Sequence, residues 1–183
     1  MCAGLSSPLS TAASLQRELA GVRIAYSPRL GLDVPVDPAV AAAVAAAAQL
    51  LLEAGATVIQ ADPRWPAGTT EEALMPLQLG GLAALYGEAW QRDPSGFDPD
   101  IAAQIEQGLL LGAAEVARAL RQRELMYAAL ADFYAAHDLL LAPTTPCVAW
   151  PFTELGPRSI AGVATASRAH AVFTPAFNHV YAS

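Results

Sequence analysis

In the first third of the chain, two short apolar runs flank a stretch in which apolar residues recur with a helical period. Residues 22–26 form a short, largely apolar run between chain-breaking residues, which is typical of a buried strand. Asp37 and Pro38 then favour a helix start, in which Asp37 supplies the N-cap oxygen, and apolar residues recur along one face of the stretch that follows. Residues 56–61 form the next apolar run. A strand, a helix and a strand within about 40 residues predict a βαβ unit with parallel strands.

The middle of the chain has a helical period. Thr70 is a candidate cap for a helix that begins near it, although a proline and a glycine pair inside that helix weaken the pattern. Asp98 and the proline after it repeat the start signal for a helix to about residue 107. A longer helix is predicted over residues 113–136, and residues 138–142 form a third apolar run. We therefore expect a single α/β domain over residues 1–183, with helices flanking a sheet.

Residues 143–183 contain five prolines and no sustained period, so this segment is predicted to be loop-rich, with short helices. Thr144, Thr145 and Pro146 directly follow the third predicted strand. Ligands of α/β sheets bind at the loops that leave the carboxyl ends of strands, and threonine hydroxyls could orient a polar substrate there. The alternative is that the prolines and threonines only turn the chain.

Charge and composition exclude several classes of function. The net charge is −7 and the sequence pI is about 4.8, so a basic surface for nucleic acid is not expected. All ten basic residues are arginine, and without lysine the chain can supply no lysine base or Schiff-base amine. No apolar segment is long enough to predict a membrane span. Two cysteines, Cys2 and Cys147, are too few for a secreted disulfide scaffold, and we expect a cytoplasmic protein.

Few residues of this chain match known catalytic patterns. A cysteine nucleophile would pair Cys147 with His137, His170 or His179, which only the fold can bring together. Neither metal-ligand spacings nor glycine-rich phosphate loops occur, so no metal and no cofactor are predicted.

Several stretches, taken in order, resemble motifs of one enzyme family. Residues 138–146 follow the pattern Asp-x-Leu-Leu-x-Pro-Thr-x-Pro, and residues 174–178 follow Thr-x-x-x-Asn. The set resembles the second half of the amidase signature family, serine amidohydrolases that include the A subunit of the glutamyl-tRNA amidotransferase. The other matching stretches are residues 3–10, with Ser7 where the family has aspartate, 21–25, 35–40 and 52–58.

This resemblance implies a mixed, largely parallel sheet and hydrolysis of carboxamide C–N bonds through an acyl-enzyme. In the family a serine attacks the amide carbonyl, a second serine in a cis peptide relays its proton, and a lysine is the base. The resemblance also implies that Thr144, Thr145, Pro146, Phe177 and Asn178 contact the amide substrate.

The chain departs from the family at the catalytic groups themselves. It has no lysine, and the glycine- and serine-rich loop that carries both serines has no counterpart around Ser6 and Ser7. We therefore expect an amidase fragment, truncated at both sides and inactive alone, with no catalytic residue of its own. The small-molecule substrate would bind only to a complete enzyme, and exposed sheet edges would favour self-association. The alternative is a non-catalytic α/β module that binds a partner or ligand through the Thr144–Thr145 loop.

Overall fold

Three parallel strands form the central sheet of the protein. The computed structural model describes residues 19–178. Strands β1 (Arg23–Tyr26), β2 (Thr57–Gln60) and β3 (Leu139–Leu141) lie in the order β2–β1–β3. Ile24 of β1 pairs with Val58 on one side and with Leu139 on the other, parallel in both cases. The predicted βαβ unit and the third strand are thus confirmed, and the α/β class holds.

Five α-helices surround or extend this sheet within the described residues. Helix α1 connects the first two strands. In chain order, the shorter α3 then lies between the long helices α2 and α4, and β3 follows α4. Thr70 accepts a hydrogen bond from the amide of Ala73 at 3.2 Å, and Asp98 accepts one from Asp100 at 2.9 Å, as the cap patterns predict. The helices are α1 (Pro38–Glu53), α2 (Glu71–Arg92), α3 (Pro99–Leu109), α4 (Ala113–Ala136) and α5 (Pro175–Asn178).

One local prediction is wrong, and another is incomplete. Asp37 precedes α1, but its side chain makes no capping hydrogen bond, because its carboxylate instead binds amides far along the chain. The C-terminal segment contains a small antiparallel hairpin, β4 (Ser159–Ile160) and β5 (Val163–Ala164), in addition to the expected loops and short helices. Outside these elements, residues 143–178 are loop-rich, as predicted.

The main hydrophobic cluster lies between the long helices and the C-terminal segment. Leu74 of α2, Met126 and Leu130 of α4 and Ala176 of α5 are buried together, with Trp65 packed against them. Burial of a leucine or methionine side chain contributes roughly 1.5–3 kcal/mol relative to exposure. This cluster therefore fixes α5 against the helices and shapes the loops near the sheet.

No helix in residues 19–178 is both long enough and apolar enough to cross a membrane.

Candidate functional site

The loops that leave β1 and β2 are joined by side-chain hydrogen bonds. Ser27, fully buried, donates to the carboxylate of Asp62 at 2.5 Å. The indole of Trp65 donates to the carbonyl of Leu30 at 2.6 Å. The carboxyl ends of parallel strands meet at one edge of a sheet, so these bonds rigidify the edge where ligands of α/β proteins bind.

The loop that leaves β3 holds the predicted threonines in two different environments. Thr144 is exposed between the buried Pro143 and the partly buried Thr145. The Thr145 hydroxyl donates to the carbonyl of His170 at 3.0 Å, whereas Pro146 is fully buried and its carbonyl accepts from the amide of Asp37 at 2.8 Å. Thr145 and Pro146 thus anchor the loop, and Thr144 is the member that can reach a ligand.

Asp37 links three segments at this edge of the sheet. Its carboxylate accepts from the amide of Val148 at 3.2 Å and from the amide of Ala161 at 2.6 Å. Hydrogen bonds to a charged acceptor are stronger than neutral ones. Asp37 therefore positions both the loop after β3 and the β4–β5 hairpin relative to α1, a role the sequence pattern did not indicate, because its partners lie 111 and 124 residues away.

A cavity of about 340 Å³, which we call the Thr144 cavity, brings part of the predicted site together. Thr144, Phe177 and Asn178 all line it, whereas Thr145 and Pro146 do not. Its polar side chains are those of Tyr134, Thr144, Thr174 and Asn178, and the other lining residues are apolar. The lining residues are Tyr134, Leu140, Ala142, Pro143, Thr144, Phe173, Thr174, Phe177 and Asn178.

Tyr134 and Thr174 line this cavity although neither was among the predicted site residues. Thr174 begins the family-like stretch 174–178, and Tyr134 lies four residues before the stretch 138–146, which was the signal available in the sequence. Burial raises the pKa of the Tyr134 phenol, so this group stays neutral at physiological pH. Thr174 donates to the carbonyl of Ala171 at 3.0 Å and thereby orders the turn before α5.

The structure gives no support to a cysteine nucleophile. Cys147 is buried, and its sulfur lies 3.5 Å from the Thr145 hydroxyl. The Nδ1 atoms of His137 and His170 lie 2.8 and 2.7 Å from the carbonyls of Phe133 and Ser167, respectively. These contacts orient each ring on its own local backbone. His179 lies outside the described residues.

Within residues 19–178, no group of three His, Cys, Asp or Glu side chains is arranged to hold a metal ion.

Comparisons with known proteins converge on one family. A family model described as Amidase matches residues 4–182. An amidase from Pseudomonas putida is 33% identical over 115 residues, which are 61% of this chain and 24% of the relative. An acylamidase from Rhodococcus erythropolis is 28% identical over 147 residues, 79% of this chain and 30% of the relative. The chain thus spans 24% to 30% of the length of these relatives.

Solved structures agree on the fold. A bacterial aryl acylamidase of the amidase signature enzymes superimposes with a TM-score of 0.75 at 19% identity, covering 92% of this chain and 37% of that one. A crystal structure of an amidase superimposes with the same TM-score at 22% identity, covering 88% and 37%. At these identities the likeness concerns the fold alone.

Proposed function

Since the chain belongs to the amidase signature family, we propose that it forms part of a hydrolase that cleaves carboxamide C–N bonds through a serine acyl-enzyme. The observation that carries this proposal is the family match over residues 4–182, in which motifs recur in the family's order. The chain covers 24% to 30% of its curated relatives, so the complete reaction needs residues beyond those present here.

The catalytic groups lie outside this chain in our proposal. A serine becomes a nucleophile only when a neighbouring base accepts its proton, and the family uses a lysine for this step. No lysine occurs in the 183 residues. The chain therefore contributes structure and part of the substrate pocket, and it does not form the acyl-enzyme itself.

The Thr144 cavity is the part of the substrate pocket that this chain contributes. The exposed Thr144 hydroxyl can donate to an amide carbonyl or accept from an amide N–H, and the Asn178 carboxamide can do both. Phe173 and Phe177 provide aromatic walls for an apolar substituent. This combination suits a small carboxamide with an apolar group, held by few polar contacts in an apolar cavity.

Benzamide binding tests the pocket. The sequence predicts that substrate binds only to a complete enzyme. Because residues of this chain alone line the Thr144 cavity, NMR titration of the chain with benzamide should nevertheless give weak, saturable shifts centred on Thr144 and Asn178. Thr144→Val should weaken binding about fivefold, since one hydrogen bond contributes about 1 kcal/mol. The matched control, Thr57→Val on the exposed β2 strand, should bind as the unaltered chain does. Equal affinities of the two variants would refute the role of Thr144.

Catalytic assays test the position of the active groups separately. The purified chain should hydrolyse benzamide no faster than a heat-treated sample, and a fluorophosphonate probe should label no serine in it. Hydrolysis above that background, or stoichiometric labelling, would show that this chain carries its own nucleophile.

A further inference from the structure

A second cavity of about 380 Å³, which we call the Met126 cavity, is lined by Pro175 and Ala176 of α5, whereas Phe177 and Asn178 of the same helix line the Thr144 cavity. It reaches down to Met126 and Leu74, whose exposed fractions are 0% and 1%, and to Ala176 of α5. Its side wall is Trp65, whose ring meets Phe177 edge-to-face at 6.4 Å between centroids. Helix α5 therefore borders both cavities, and the aromatic pair places Trp65 in the wall of one and Phe177 in the wall of the other.

The rim of the Met126 cavity carries an excess of negative charge. Asp33, Glu71 and Glu72 line it together with Arg168, the one cation among the described lining residues. Arg168 is already paired, because its Nε donates to Glu71 at 2.8 Å. Two carboxylates, those of Asp33 and Glu72, thus remain without a cation at the rim.

Hydroxyl groups at the rim are engaged within the protein. The Thr69 hydroxyl donates to the carbonyl of Pro66 at 2.7 Å, and Thr70 accepts from the amide of Ala73. Hydrogen bonds from its own amide and from the Thr70 hydroxyl lower the pKa of Glu72, so this carboxylate stays charged at neutral pH. The rim consequently favours a ligand that donates hydrogen bonds.

We propose that the Met126 cavity binds a small organic cation, an arylalkylamine whose ring packs on Met126 and Trp65 and whose ammonium group faces Asp33 and Glu72. Burial of an aromatic ring in the apolar base supplies most of the affinity, and the carboxylates select a cation over an anion. The Trp65 ring also offers a face to a positive charge. This binding site is independent of the proposed amide hydrolysis.

The test compares three ligands of nearly one shape on the full chain. Calorimetric and NMR titrations should show that 2-phenylethylamine binds more tightly than 2-phenylethanol, and that phenylacetate binds most weakly. High salt should reduce the preference for the amine, because exposed charge pairs are screened. Equal binding of the amine and phenylacetate, or no saturable binding of the amine, would overturn the proposal.

Variants locate the site. The double variant Asp33→Asn with Glu72→Gln should weaken amine binding about three- to tenfold, as expected for two exposed charge pairs. The control Glu106→Gln with Asp132→Asn removes the same charge from exposed helix positions and should leave affinity unchanged.

Ala169→Leu should fill the Met126 cavity and reduce amine binding while benzamide binding at the Thr144 cavity persists. Equal amine affinities of the two double variants would contradict the assignment. If the unaltered chain bound the amine but not benzamide, the result would contradict the proposed function and leave the Met126 cavity assignment intact.

Discussion

Arg23 and Asp138 join the starts of β1 and β3 through four hydrogen bonds. The Arg23 amide and Nε donate to one carboxylate oxygen at 2.8 and 3.1 Å, and a terminal guanidinium nitrogen donates to the other at 2.8 Å. The Asp138 amide donates in return to the Arg23 carbonyl at 2.8 Å. These bonds, led by those from the guanidinium, lower the pKa of Asp138 from 3.8 to about 2.

The depressed pKa predicts a specific acid sensitivity. Because the folded-state pKa of Asp138 lies below the unfolded value of about 3.8, its stabilising effect is complete above that pH and is lost as pH falls towards 2. In urea titrations at a series of pH values, the stability difference between the unaltered chain and Asp138→Asn should shrink from pH 4 to pH 2. A difference that does not change with pH would contradict this linkage, and Glu106→Gln serves as the exposed control.

At the same scale, the sequence indicated three of the residues that line the Thr144 cavity but not the contacts that each residue makes. Thr144, Phe177 and Asn178 do meet in one cavity. Thr145 does not, since its hydroxyl is bound to a carbonyl 25 residues away. A motif specifies which residue types occur at each position. It does not specify which hydroxyl is already satisfied by a distant backbone group, because that depends on the packing of the C-terminal segment.

Helices α2 and α3 cross at a glycine. A Cβ atom added to Gly108 would lie 2.1 Å from the carbonyl oxygen of Leu79 and 2.8 Å from the Cβ of Ala83. Backbones at such separation leave no room for a side chain. The contact therefore depends on glycine, although Gly108 lies inside a helix, where glycine is usually unfavourable.

Gly108→Ala should separate the two helices and destabilise the chain by about 1–3 kcal/mol, which is the usual cost of adding atoms to a well-packed core. The matched control is Gly81→Ala in α2, where an added Cβ would meet nothing within 4 Å. That control should raise stability by about 0.5–1 kcal/mol through helix propensity alone. Chemical denaturation monitored by circular dichroism measures the free energy of unfolding of both variants. Equal effects of the two substitutions would show that the helix crossing tolerates a side chain.

Elements with local signals were predictable, and the β4–β5 hairpin was not. Strands β1 and β2 and the helix between them follow periodicity and cap residues that lie within each segment. The hairpin has only two residues per strand, and its turn places Ala161 at φ 50° and Gly162 at φ 78°. Alanine rarely adopts a positive φ, and here the Ala161 amide is held by the Asp37 carboxylate from 124 residues away.

At the scale of the whole molecule, the sheet of residues 19–178 ends in β2 on one side and β3 on the other. Leu139 of β3 is 50% exposed, and an open cavity of about 580 Å³ between β3 and α4 is lined by Tyr127, Tyr134 and Leu140. Open strand edges beside apolar surface favour pairing with another chain. We therefore expect the isolated chain to self-associate through β3.

Leu139→Lys places a charge on this edge and should shift the chain towards monomer, because edge lysines oppose strand pairing. Leu110→Lys, at a position 81% exposed between α3 and α4, is the control and should leave association unchanged. Sedimentation velocity over a range of protein concentrations measures the association state of both variants. A monodisperse monomer with a cooperative melt for the unaltered chain would count against association through β3.

The sequence by itself determined the α/β class, the parallel βαβ unit, the family and the lack of a lysine base. These properties follow from residue types and from periodicities within short segments, where the backbone and side-chain preferences act locally. Only the tertiary structure decided that Thr144 and not Thr145 lines the Thr144 cavity, that Asp37 binds two distant amides instead of capping α1, and that α5 borders two cavities. Each of these depends on contacts between segments far apart in the chain, and such contacts form only when the helices and loops pack on the sheet.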